Sequence, residues 1–147
     1  MNAKFGIRGD LNIILRDEHG VVIDSRSLHN TIVDVGYDFI CDVIGNTSQP
    51  ADMHYTAIGT GTTGVTGGDT TLTTEVVRVA NVYAHTPGTK IFTHTANYSA
   101  GVGTGAITES SLVNAATVGT MLNRVVFDVI NKGSSDTLEI EWIITLS

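Results

Sequence analysis

The end of the chain alternates without interruption: Leu138, Ile140, Trp142, Ile144 and Leu146 fall on one parity, and Glu139, Glu141, Ile143 and Thr145 on the other. A period of two sends successive side chains to opposite faces of a strand, so the apolar parity has to be covered while the other meets solvent. Trp142 is therefore expected in the core. The opening segment repeats the pattern, with Phe5, Ile7, Leu11, Ile13 and Leu15 at odd positions. Half-buried strands at both ends require a second apolar layer to pack against.

The segments between supply it. Asp17-Glu18-His19-Gly20 reads as a hairpin turn and Val21 to Leu28 as the returning strand. Arg8-Gly9-Asp10 has the form of a cell-adhesion tripeptide, but within an alternating strand it reads as a bulge or bend where glycine relaxes the backbone. One helix is expected over residues 31–45. Asn30 or Thr31 would cap it, Ile32, Val35, Phe39, Val43, Ile40 and Ile44 recur near helical spacing, and Gly45-Asn46 ends it. Gly36 opposes this helix by about 1 kcal/mol of propensity relative to alanine. A loop with Pro50 follows.

From Tyr55 to Arg78 a short apolar strand, Tyr55 to Ile58, enters a run of glycine and threonine and re-emerges at Leu72 into a second strand, Val76 to Val82. The glycines permit unusual backbone angles and the threonine hydroxyls bond locally, so the run is expected to be an ordered crossing from one sheet to another. Val76 to Ala84 and Lys90 to Tyr98 are expected to pair across His85-Thr86-Pro87-Gly88-Thr89, whose Pro-Gly order suits a type II turn. Ser99 to Gly105 reads as a second crossing. Further strand material lies at Ala106-Ile107, Leu112-Val113 and Met121 to Ile130, with turns at Asn114 to Gly119 and Lys132 to Asp136. The expected fold is all-β, an antiparallel β-sandwich of jelly-roll or Greek-key kind with one short helix, forming a single domain over residues 1–147 with a short N-terminal arm, residues 1–4.

With 147 residues, 41% of them hydrophobic, the chain can bury roughly two thirds of its unfolded surface in one core. The lone Cys41, in an apolar-patterned segment, is expected to be a small buried hydrophobe, in keeping with assembly in a reducing cytoplasm. No charged-then-apolar leader and no run near the roughly twenty residues of a membrane span is seen, so neither secretion nor membrane insertion is expected. A net charge of −7, with scattered basic residues, argues against a nucleic-acid partner, which needs clustered Lys and Arg.

Chemistry is sparse. His19, His29, His54, His85 and His94 have no metal-ligand spacing, although His85 and His94 could face each other across the Pro87-Gly88 hairpin. Glu139 and Glu141 share a face that alternation assigns to solvent. The Gly59-x-Gly61 and Gly64-x-x-Gly67 pairs lack the lysine of a phosphate loop. Asp69 alone offers calcium too few carboxylates, and Ser110, Ser111 and Cys41 have no base near them in sequence. No enzyme activity, cofactor or metal is expected.

The ordered series Tyr55-x-Ala57-Ile58-Gly59-Thr60-Gly61-Thr62-Thr63, then Asp69-Thr70-Thr71-Leu72 before Glu75 and Arg78, resembles a group of small tailed-phage virion proteins. Gly105 to Leu112, Gly119 to Phe127 and Leu138 to Leu146 fit the same group, so the resemblance spans most of the chain. Its members are head decoration (cement) or tail-fibre proteins, which implies a small β-sandwich, a homotrimer, and a place in the virion after assembly in the host cytoplasm. The expected function is to bind the outside of the head shell through the major capsid protein and stabilise it; the alternative is host-surface recognition at a tail fibre or spike. The 6% aromatic content is low for a carbohydrate-binding surface. Lys4, Phe5, Ile7 and Arg8 are the expected shell contacts, and Thr60, Thr62, Thr63, Val65 and Asp69 the expected contacts between protomers or with solvent.

Overall fold

In the computed structural model, which describes residues 4–147, the final alternation becomes the strand Thr137–Leu146, with Leu138, Ile140, Trp142 and Ile144 buried on its inner face. Of the expected N-terminal arm, Met1 to Ala3 lie outside the described residues. In chain order the elements are β1 (Ile7–Arg16), β2 (Val22–His29), β3 (Thr31–Ile32), α1 (Asp34–Gly45), β4 (Tyr55–Gly59), β5 (Glu75–Ala80), β6 (Val82–His85), β7 (Ile91–Tyr98), β8 (Gly105–Val113), β9 (Asn123–Lys132) and β10 (Thr137–Leu146).

They form two five-stranded antiparallel sheets, ordered β2-β1-β10-β7-β6 and β3-β9-β8-β4-β5. β10 returns to lie between β1 and β7, so the two ends of the chain pair along their whole length, Ile7 opposite Leu146 and Arg16 opposite Thr137. Such non-local neighbours are the mark of Greek-key connection. Leu11, Ile13, Ala96, Tyr98, Ile140 and Trp142 from one sheet meet Ile58, Ile107, Leu112, Val125, Phe127 and Ile130 from the other. Full burial of each large apolar side chain stabilises the fold by about 1.5–3 kcal/mol. The Tyr98 phenol, also fully buried, crosses between the sheets and donates to the Thr56 carbonyl at 2.6 Å.

Several local expectations are corrected. The Gly/Thr run is not a crossing between sheets: β4 and β5, on either side of it, are antiparallel neighbours in one sheet, Tyr55 opposite Ala80. The change of sheet comes at Asn81, which divides the expected Val76–Ala84 strand into β5 and β6. Only β6 then pairs with β7, Val82 opposite Thr95 and His85 opposite Phe92. The turn itself is as expected, with Gly88 at φ +89° and Thr89 N–H donating to Thr86 O at 3.1 Å. Ser99 to Thr104 does carry the chain from the first sheet to the second. Gly9 makes no bulge, because β1 keeps an unbroken register with β10 through it; the glycine instead makes room for the Asn30 side chain.

The helix begins later than expected. Thr31 and Ile32 pair with Arg124 and Asn123 as β3, and Val33 occupies the N-cap without a side-chain hydrogen bond. Gly36 is explained by packing: a Cβ there would overlap the Leu122 carbonyl oxygen, so only glycine lets α1 approach the chain entering β9 so closely. Phe39 and Ile40 pack on the core, whereas Val43, Ile44 and Cys41 are exposed. Cys41 is thus not the buried hydrophobe its neighbours suggested, because α1 covers only one end of the sandwich and its far side meets solvent.

Candidate functional site

Two features stand out once the sheets are formed. One is the fate of the Gly/Thr run. Thr60 to Thr74 folds back over the outer face of its own sheet, where Leu72 joins Val33, Ala57, Val113 and Met121 in a second small core. Glu109 on β8, completely buried, holds it there. Its Oε1 accepts the N–H groups of Gly61 (3.0 Å) and Thr74 (2.8 Å), and its Oε2 accepts that of Thr73 (3.0 Å). A Cβ on Gly59 or Gly61 would strike the Glu109 carboxylate, which accounts for the Gly-x-Gly spacing better than any phosphate. Oε2 also accepts Nε (3.1 Å) and Nη2 (2.9 Å) of Arg124. Arg124, itself 1% exposed, donates onward to Asp69 Oδ2 (2.8 Å), Thr63 O (2.9 Å) and Thr73 Oγ1 (2.9 Å).

Burial pushes the Glu109 carboxyl up. The N–H groups of Thr74 and Thr73, the Arg124 guanidinium and the Gly61 N–H together outweigh this and leave its pKa below the ordinary value. The pair is ionised and satisfied, and its chemistry is fully spent on holding the loop. Asp69, whose single carboxylate is too little for calcium, already faces the Arg124 guanidinium.

The other feature is a groove at the end of the sandwich where α1 closes the gap between the sheets incompletely. Its volume is about 500 Å³. One wall is the helix, with Phe39, Ile40, Val43 and Ile44; the other is the inner face of β7 and β6, with Phe92, His94 and Tyr83. Phe5 and Ile7 come from the chain's opening segment, and Asp52, Met53 and His54 from the loop before β4. Tyr83 sits opposite His94 and so faces inward, yet the residue is 54% exposed. Phe5 at 64% and Ile44 at 75% are exposed at the same opening.

At the base of the aromatic wall His94 is 5% exposed, its ring 5.5 Å from that of Tyr83 and 5.8 Å from that of Phe92. Its Nδ1 lies 2.8 Å from Asn81 Oδ1. Burial, helped by the nearby His54 and opposed by Asp52, pushes its pKa down to about 4, so it is neutral near pH 7. His85 does not face it; that ring turns to the Ile91 carbonyl, and Tyr83 is the residue opposite His94.

The expected shell contacts divide between two faces. Phe5 and Ile7 line the groove, whereas Arg8 projects from the other side of β1 and pairs with Asp10 at 2.8 Å; Lys4 is exposed. The second expected set stays together in the loop. Thr62 and Thr63 are exposed, Thr60 and Val65 half-buried, and Asp69 is tied to Arg124. Glu109, Arg124, Asn81 and His94 were not singled out as a site, although Arg124 stands in the largely apolar run Met121 to Phe127, where a charged residue on a covered face has to find a partner; Glu109, among Thr108, Ser110 and Ser111, gives no such signal. Among the described residues no group of three or more His, Cys, Asp or Glu could hold a metal ion, and no helix is long and apolar enough to cross a membrane. No protein-family model, curated protein or solved structure matches the chain.

Proposed function

We propose that this is a non-enzymatic virion protein of a tailed phage, a decoration or cement protein that binds the outside of the head through the major capsid protein. The observation that supports this best is the uncovered apolar groove, an inward-facing sheet surface with exposed Phe5, Ile44 and Tyr83 at its mouth. A contiguous apolar opening of this kind on a net acidic protein suits a protein interface more than a reaction centre. Phe5 and Ile7 were already expected at the shell from the sequence, and both line it. The clamped Gly/Thr loop fits the same role, since a rigid surface loses little entropy on docking. The protein would act as a homotrimer, with the loop available for contacts between protomers. Binding the assembled shell and not its separated subunits would stabilise the shell by mass action.

The half-exposed Tyr83 favours one alternative, a tail-fibre or spike module on which a surface sugar stacks. Cosedimentation with heads that lack the protein, run beside tails and host cells, separates the two. Saturable binding to heads supports the cement reading; binding to tails or cells alone supports the other.

A further inference from the structure

Asn81 fixes the protonation of His94. The Asn81 Nδ2 donates to the Met53 carbonyl at 3.1 Å and to Thr56 Oγ1 at 3.2 Å, so its Oδ1 is the atom turned to His94. An amide oxygen only accepts, and His94 Nδ1 must therefore carry the proton. In a neutral ring this leaves Nε2 as a lone-pair acceptor, and it makes no hydrogen bond to any other described residue. The buried side chain that carries it lines the groove, beside the rings of Tyr83 and Phe92 and opposite Phe39 and Ile40. The groove thus offers flat apolar walls, one uncommitted acceptor at its buried base and, on the loop before β4, the exposed Asp52 carboxylate paired with His54.

From this geometry we infer that the groove is an anchor pocket for one aromatic side chain bearing a single ring N–H or O–H, a tryptophan or tyrosine presented by the capsid partner, whose donor bonds to His94 Nε2. At about 500 Å³ the space falls in the range, about 300–1,000 Å³, of pockets that enclose one small organic group. Aromatic anchors with one polar tip dominate protein interfaces because the ring fills an apolar slot and its donor needs one partner. Within a second copy of the chain Trp142 and Tyr98 are completely buried, Tyr55 is half-buried and Tyr83 is a wall of the groove itself, which leaves Tyr37, 48% exposed on α1, as the one such side chain a copy could present; self-association is therefore an outcome of the test. The inference rests on the groove being a contact surface and adds the chemistry of what enters it.

The test needs no capsid. Protein labelled with ¹⁵N-histidine is titrated with indole and with 1-methylindole, which has the same shape but no donor. The expected result is a shift of the His94 Nε2 resonance with indole only, and binding of indole about three- to tenfold tighter than 1-methylindole, the worth of one hydrogen bond. In His94→Phe the preference should vanish while both compounds still bind. Equal affinity of the two compounds for the unaltered protein, or binding of neither, overturns the inference whether or not the variant folds. Self-association that both Ile44→Glu and Tyr37→Ala abolish would assign the groove to a second copy and also overturn it. If indole is preferred yet the protein ignores heads, the pocket stands and the cement reading falls; if heads are bound without that preference, the reverse holds.

Discussion

Replacing Glu109 by glutamine keeps the shape of the buried side chain and removes its charge. Its Oε2 accepts three donors, from Thr73 N–H and from Nε and Nη2 of Arg124, while Oε1 accepts two, from Gly61 and Thr74. In either orientation of the new amide, an NH₂ group faces donors and at least two bonds are lost. Arg124, 1% exposed, is also left with only Asp69 as a countercharge. Breaking one partner of a buried pair costs about 3–5 kcal/mol, a large share of the about 5–15 kcal/mol that holds a domain together. Glu109→Gln should therefore lower the unfolding free energy by about 3–4 kcal/mol in urea titration, read as a shift of midpoint at constant slope. Hydrogen exchange should quicken at Gly61, Thr73 and Thr74 before the core opens. The double change Glu109→Leu with Arg124→Leu should cost well under the sum of the two single changes. A loss below about 1 kcal/mol for Glu109→Gln with unaltered exchange at those amides would refute the view that this pair holds the loop.

Three further outcomes follow from particular contacts. His94 should titrate by NMR with a midpoint of about 4. The unfolded ring takes up its proton near 6.5 and the folded one only near 4, so stability should fall as pH drops through that window, by about 3 kcal/mol in total, and His94→Phe should lose this dependence. Gly36→Ala would gain about 1 kcal/mol of helix propensity on an exposed helix, but the clash with the Leu122 carbonyl should make the measured change a loss of about 1–3 kcal/mol by urea unfolding. Cys41 should react with a maleimide in the native protein at a rate close to that of the denatured chain, because it lies on the exposed side of α1.

The strands at both ends, the Pro87-Gly88 turn and the burial of Trp142 were legible because alternation and turn chemistry are local. The division of the chain at Asn81 was not. Val76 to Ala84 reads as one continuous strand, and what breaks it is the Asn81 backbone and side chain bonding to His54 and Met53, residues distant in sequence. The Gly/Thr run was misread for a similar reason. Its glycines signalled unusual backbone angles and an ordered crossing, whereas Gly59 and Gly61 are present because a carboxylate from β8 occupies the space a Cβ would need. The groove was visible in outline only. Phe5 and Ile7 could be marked as apolar residues of the opening strand and as expected shell contacts, but their meeting with Tyr83 and His94 depends on how far α1 covers the sheets, and no periodicity carries that information.

The central proposal is docking of the groove on a phage head, and Ile44→Glu tests it most directly. This side chain is 75% exposed at the groove mouth, so the change should leave unfolding unaltered while placing a charge in the contact. Binding to heads lacking the protein would be measured by cosedimentation, with head survival on heating as the second reading. The account predicts saturable binding and raised heat resistance with the unaltered protein, and at least about a tenfold loss of affinity with the variant, equivalent to about 1.4 kcal/mol. Equal binding of the two proteins, or no binding of either to heads, would contradict it.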